Sequence, residues 1–333
     1  IPPWHGDRPL LQAAVRWIQS VLLNAVQRTS DDNGDVHGFS VTRATVMQSL
    51  QSDWNKNISH EADSAFADAM EPVENRSDPL ISTINGLGLT PLETRIMVLA
   101  LAPELDVRFQ RCFGFLLDEM SRRVGTLGLL CSLLGEPLRI RSELAKSGAL
   151  FDWPIFETCD GYYAAADEPL RIDPFLSRWI LGERSGLEND PRVHRLVRTV
   201  PWPGRDLLQR LEEHEKAAEL LAEVERDAET KWFLLGGDDL AAWRALLELG
   251  GNARQISPIR IEAARLGGLD LMEIEDSARR ISRMTKLTDR PLIIDMARED
   301  GTGATRDGSR MFLSTLAKMG CKAVLICREA AHV

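Results

Sequence analysis

Apolar residues in the opening stretch of the chain recur at helical spacing. Leu11, Ala14, Val15, Ile18, Leu22 and Val26 fall on one face of a single amphipathic helix over residues 8–28. A loop follows over 29–38 (TSDDNGDVHG), and Ser40 can cap a second helix carrying Val46, Met47, Leu50 and Trp54. Ala65, Phe66 and Ala69 mark a third, short helix near 59–70, and the polar run 71–79 with its two prolines reads as a linker. Residues 1–79 are therefore expected to be a helical lead segment. His37 and His60 lack paired spacing and read as surface histidines rather than metal ligands.

The next stretch, 80–200, begins with a strong helix start. Thr90 is a cap, Pro91 occupies the first helical position and Glu93 puts an acid in the first turn. That helix is expected to run to Leu101. Pro103 opens another, with Phe109, Phe113, Leu116, Leu117 and Met120 on one face. Thr126 caps a third helix closed by Gly135, and 136–147 gives a fourth closed by Gly148. Residues 150–158 and then Gly161-Tyr162-Tyr163 read as a two-stranded ribbon, and 174–181 is a last short helix closed by Gly182. Helices followed by a small ribbon predict a winged-helix domain.

Three patches in this stretch carry a family resemblance. They are the Leu-Ala-Pro-Glu-Leu-Asp corner at 101–106, the acidic-then-Arg-Arg run at 118–123, and the Leu-Arg-Ile-Asp…Leu-Gly pattern at 170–182. Over about 87–190 the chain resembles the winged-helix N-terminal region of a bacterial AAA+ ATPase family that occurs with extracellular contractile injection systems. The matching residues are core and corner positions, so they identify a scaffold rather than a site. The resemblance implies a protein that remodels or helps assemble protein complexes. It also implies protein partners or a self-assembled ring, and a competent domain beyond Val333 that uses ATP and magnesium.

After the Pro-Trp-Pro-Gly break at 201–204 comes a charged helix, 211–229, with a net charge of −6; residues 201–229 read as an acidic, solvated connector. From 230 onward apolar strands alternate with helical segments. Strands are expected at 231–235, 256–261, 292–296 and 322–327, with helices at 238–249, 270–287 and 306–319 between them. That order predicts a parallel sheet covered by helices. The fold class is thus mixed: a helical, winged-helix N-terminal region followed by a partial, P-loop-like α/β domain of AAA+ type. The chain stops before the fifth strand and lid of such a domain, and it lacks an initiator methionine, so a segment of a longer protein is expected.

The chemistry turns on two places. Gly236-Gly237 follows the first strand and precedes a helix, as a phosphate-binding loop does. Asp295 ends the third strand, where a magnesium-holding aspartate would stand. Yet the turn continues Asp238-Asp239-Leu240-Ala241, with neither the lysine nor the hydroxyl such a loop needs. Like charges about 4 Å apart repel by roughly 4 kcal/mol at an effective dielectric of about 20, so two aspartates oppose a polyphosphate. Met296 occupies the place of the water-orienting glutamate. The positions Gly236, Gly237, Asp238, Asp239 and Asp295 therefore form a degenerate nucleotide site, with no catalytic residue, no metal site and no cofactor expected for this segment. A rival arrangement would use Arg254 or Arg260 in place of the lysine.

Composition narrows the function classes. The 333 residues are 44% hydrophobic and 27% charged, with a net charge of −10 and a pI near 5.2. An acidic chain repels nucleic acid unless a basic patch overrides the mean field. The candidate patch is 137–147, with Arg139, Arg141 and Lys146 against Glu143, joined by Arg122 and Arg123. Three basic residues on a helix are more often a solvated face, so a winged-helix DNA-binding regulator is the alternative and protein docking the first expectation. Five scattered cysteines without a CxxC pair favour a reducing, cytoplasmic setting, and no apolar run reaches the roughly 20 residues of a membrane span.

Overall fold

The computed structural model describes residues 8–29, 43–51, 66, 78–157, 166–183, 185–198, 219, 232–236, 240, 243–244, 247, 257–296 and 303–327. The chain forms two compact units, Ile1–Gly186 and Leu187–Val333.

In the first unit, α1 (Pro9–Arg28) buries Leu11, Ala14, Val15, Ile18, Leu22 and Val26, the stripe its periodicity predicts. Trp17 joins that stripe and stacks on Phe66, ring centroids 4.8 Å apart. Helix α2 spans Arg43–Gln51. Of the expected helix at 59–70 only Phe66, helical and buried, is described. A helix the sequence reading had missed, α3 (Pro79–Leu87), starts where a linker was expected to end. The Asp78 carboxylate accepts the Leu80 N–H, proline fills the first helical position, and Gly88 closes the helix at φ +66°.

The centre of this unit is α4 (Pro91–Leu105), which is buried on nearly every side and packs against α1 and the helix that follows it. Pro103 does not open a new helix; it lies in the last turn of α4. The break falls at Asp106, whose side chain accepts the Arg108 N–H and starts α5 (Val107–Leu116). Consequently Met120 lies outside α5 and is exposed. Helices α6 (Leu127–Leu134) and α7 (Pro137–Ser147) follow across a tight turn, as expected.

The ribbon differs from expectation. Residues 149–152 form a helical turn, α8, rather than strand, because Gly148 at φ +74° redirects the chain into helical bonding. Extended chain begins only at Ile155. The returning arm is 166–172: Asp173 N bonds Ile155 O at 2.8 Å, Glu157 N bonds Arg171 O at 3.0 Å, and Phe156 pairs antiparallel with Ile172. The other edge of that arm bonds the segment before α6, through Leu170 N to Gly125 O at 2.9 Å and Thr126 paired with Pro169. Three short segments thus make a small antiparallel sheet with 166–172 in the middle. Gly161, Tyr162 and Tyr163 lie outside the described residues. Helix α9 (Pro174–Ile180), capped by Asp173, completes the unit.

The second unit holds a four-stranded parallel sheet in the order β1-β4-β3-β2, with β1 Trp232–Gly236, β2 Ile259–Glu262, β3 Leu292–Asp295 and β4 Ala323–Cys327. Strands β3 and β4 are buried along their whole length, as continuous apolar runs in a parallel sheet require. Leu235, Ile293, Val324 and Ile326 pack with Leu240 and Leu247 of the helical residues after β1. A short 3₁₀ helix, 263–268, links β2 to α11 (Leu271–Thr288), which opens with a reciprocal Asp270–Glu273 capping box. Helix α12 (Gly303–Lys318) packs against α11 and leads into β4. Before the sheet, α10 (Pro191–His194) and the residues after it run beside β2, with Val197 bridging Ile261 and Arg198 N bonding Arg260 O at 2.7 Å.

Candidate functional site

Parallel strands place all their carboxyl ends on one edge, the edge at which open α/β sheets bind ligands. Gly236 ends β1 and pairs with Cys327 of β4; Asp295 ends β3 and pairs with Ile326 of β4. Two of the five sequence-selected residues therefore share that edge, with one strand between them. Gly237, Asp238 and Asp239 lie outside the described residues.

Asp295 is only 6% exposed, and its surroundings decide what it can do. Arg244, one of the helical residues after β1, directs its Nε and Nη2 at Asp295 Oδ2, at 2.8 and 2.7 Å. A divalent cation held by an aspartate needs the lone pairs of that carboxylate. Here a guanidinium already occupies one oxygen and supplies the compensating charge. The neighbouring Trp243 donates its indole N–H to the Gly236 carbonyl at 3.2 Å, so both side chains of this helix turn are committed to the sheet edge. Sequence reasoning had missed Arg244: no motif links residues 51 positions apart. Arg260 sits within β2, opposite Ile293, and not at the carboxyl edge; Arg254 lies outside the described residues.

The second candidate surface is α7. Ile140 and Leu144 turn inward, while Leu138, Arg139, Ser142, Glu143, Ala145 and Lys146 face solvent. Leu138 is 83% exposed, an unusual position for a large aliphatic residue. Two of the basic residues are already committed. Arg139 donates to Glu143 at 3.1 Å. Arg122 is bound to Glu119 at 2.6 Å and to the Asp167 carbonyl at 2.9 Å, where it ties the ribbon to the turn after α5. Grooves run along both sides of α7. The larger, of about 650 Å³, lies against the start of α4 and is lined by Leu92, Arg95, Leu134, Glu136, Arg139 and Ile140. The smaller, of about 350 Å³, is lined by Leu127, Arg141, Leu144 and Phe151.

Helices in this order, closed by a three-segment sheet, match a family model described as winged helix domain, variant, over residues 3–193, more than half of the chain. The chain belongs to that winged helix family. No curated protein and no solved structure matches it. Helix α7, which carries the candidate basic patch of the DNA-binding alternative, is the last helix of more than one turn before the ribbon.

A buried carboxylate on α4 links two parts of the winged helix. Glu93 is fully buried; its Oε2 accepts from the Thr90 N–H and hydroxyl, both at 2.9 Å, and its Oε1 accepts the Leu150 N–H at 2.8 Å. The first-turn acid read from sequence thus also fixes α8, a long-range role its position did not announce. Among the described residues no cluster of three or more His, Cys, Asp or Glu side chains is arranged to hold a metal, and no helix is long and apolar enough to cross a membrane.

Proposed function

We propose that this chain is an N-terminal adaptor and scaffold portion of a AAA+-type ATPase that remodels or helps assemble protein complexes, a contractile injection particle among them. In this reading the winged helix docks protein partners and the α/β unit is a P-loop-like domain that does not hydrolyse ATP. One observation carries the reading: Arg244 is bound to Asp295, at the edge where a nucleotide engine would hold magnesium. The strand order, with Gly236 and the terminal aspartate on one edge, supports a nucleotide-binding ancestry. The arginine supports its loss, since a phosphoryl-transfer site needs that aspartate for the metal. ATP and magnesium chemistry would then belong to the family's competent domain and not to this one. The pairing of Arg139 on α7 with Glu143, and of Arg122 nearby with Glu119, favours protein over DNA as the partner.

The test is titration calorimetry of ATP and magnesium onto residues 1–333, with phosphate release followed in parallel. No binding heat and no turnover are expected. Micromolar binding with turnover would sink the non-hydrolysing reading. Duplex DNA shifted by this chain at physiological salt would replace the docking reading with the regulator.

A further inference from the structure

The larger groove beside α7 contains a cation that its surroundings leave unanswered. Arg95 stands on α4, one turn after the Thr90 cap, and lines the groove between Leu92 and Ile140. Its Nε is fully buried and has no hydrogen-bond partner. Among the described residues no carboxylate pairs with its guanidinium. The other arginine of the groove, Arg139, is already bonded to Glu143. A guanidinium N–H taken out of water without an acceptor is unfavourable, and folding gains nothing from keeping it. With Nε closed off, an incoming acceptor can reach only the outer N–H groups of the guanidinium, which no described residue answers.

We propose that this groove receives an acidic side chain, flanked by aliphatic residues, from a segment of a partner protein, with Arg95 as the carboxylate receptor. The proposal rests on the docking role given above to the winged helix and names the chemistry of its partner. A guanidinium offers a planar pair of N–H groups that match one carboxylate, and Leu92, Leu134 and Ile140 offer apolar walls for the residues beside it. Glu136 and Glu143 stand in the same groove. They would repel a continuous phosphate backbone, yet tolerate one carboxylate placed on Arg95.

The experiment presents the whole chain to an array of short acidic-aliphatic peptides and to a matched array in which every Asp and Glu is replaced by its amide. Acidic peptides should bind, and their amide counterparts should not. Arg95→Met should weaken binding at least about tenfold, since it removes one partner of a desolvated charge pair. The same variant should melt at the same temperature or higher, because an unsatisfied buried donor has gone. Arg139→Met should change binding far less. The proposal is overturned if no acidic peptide binds, if the two arrays bind alike, if Arg95→Met leaves binding intact, or if it lowers the melting temperature by several degrees. It is also overturned if duplex DNA displaces the bound peptide. None of these outcomes bears on ATP turnover, so the non-hydrolysing reading stands or falls separately.

Discussion

Arg244 and Asp295, 51 residues apart, are joined through a single carboxylate oxygen: Nε lies 2.8 Å and Nη2 2.7 Å from Oδ2. The pair ties the helix after β1 to the far side of β4 and neutralises an aspartate that the sheet has buried. Removing one partner of such a pair leaves a buried charge behind, which costs about 3–5 kcal/mol, whereas replacing both by apolar residues of similar volume is often neutral. Arg244→Ala should therefore lower the unfolding free energy by about 3 kcal/mol in urea denaturation. The double variant Arg244→Met/Asp295→Leu should recover most of that loss. Equal losses in the single and double variants would mean that the pair does not hold the sheet edge.

That pair also marks the limit of what the sequence could disclose. Helix α11 was legible almost to the residue, because Asp270 and Glu273 announce its start and Ile274, Ala278 and Ile281 keep a helical period. The strands were legible as continuous apolar runs. Pro103 misled because a proline in the last turn of a helix is as visible in sequence as one in the first, and only the Asp106 cap shows where the break falls. The ribbon misled because its middle arm is defined by partners at Gly125 and Ile155, each distant along the chain. Gly236 and Asp295 could be chosen from motif position, but the charge that meets Asp295 could not. Nor could the lack of one beside Arg95.

Gly128, in the first turn of α6, packs closely against the 166–172 arm of the small sheet. Its N–H donates to the Ala166 carbonyl at 2.8 Å, and a Cβ at this position would stand 2.7 Å from that same oxygen. The obstacle is backbone, so relief requires moving the 166–172 arm away from α6. Gly128→Ala should destabilise the winged helix by about 1–3 kcal/mol, as overpacking does. Hydrogen exchange should show faster exchange at Leu170 and Asp173, with α4 still protected. An unchanged melting temperature would contradict the close packing.

Acid should weaken both units through identifiable carboxylates. Burial acts to raise the Asp106 pKa, and the Arg108 side chain and backbone N–H outweigh it, leaving the group below its ordinary value. Glu262 behaves alike, with burial opposed and overcome by Arg198 and Arg265. A folded-state pKa below the unfolded one stabilises fully above the unfolded value and is lost as pH falls through the folded value. With unfolded values of about 3.9 for Asp and about 4.3 for Glu, the loss begins near pH 4 and continues below it. Asp106→Asn keeps a helix cap but removes the titration, so its melting temperature should fall less steeply between about pH 5 and pH 2 than that of the parent. Parallel curves would exclude Asp106 as a contributor.

The described cysteines should be inert in the folded chain. Burial pushes the Cys112 thiol up to about 12, with the Asp106 charge adding to it, and burial raises Cys131 to about 11 against the opposing Arg141 charge. Cys321 and Cys327 are buried as well. Since the thiolate is the reactive form, iodoacetamide near neutral pH should leave these four unmodified until denaturant is added. Mass spectrometry of the labelled peptides checks this. Rapid native labelling of Cys112 would show that α5 opens readily.

The segment from Glu188 to Arg198 is held in the second unit by a row of ion pairs, and Asp190 with Arg280 is the buried one among them. Their side chains are essentially inaccessible, with Nη1 3.1 Å from Oδ2. Asp190 also caps α10, accepting the Arg192 N–H at 3.0 Å. On either side Glu188 pairs with Arg290, Arg195 with Glu273 at 3.0 Å, and Arg198 with Glu262. Exposed pairs contribute about 0–1 kcal/mol each, so the flanking members should be individually weak. Asp190 differs, because its removal strips a cap and takes a charged partner from the buried Arg280, which also pairs with Asp276 at 2.8 Å. Asp190→Ala should cost about 3–5 kcal/mol, against about 1 kcal/mol or less for Glu188→Ala. It should also speed amide exchange at Arg198, whose N–H bonds Arg260 along the edge of β2. If the two variants lose the same stability, the anchor of this segment is spread along the row rather than concentrated at Asp190.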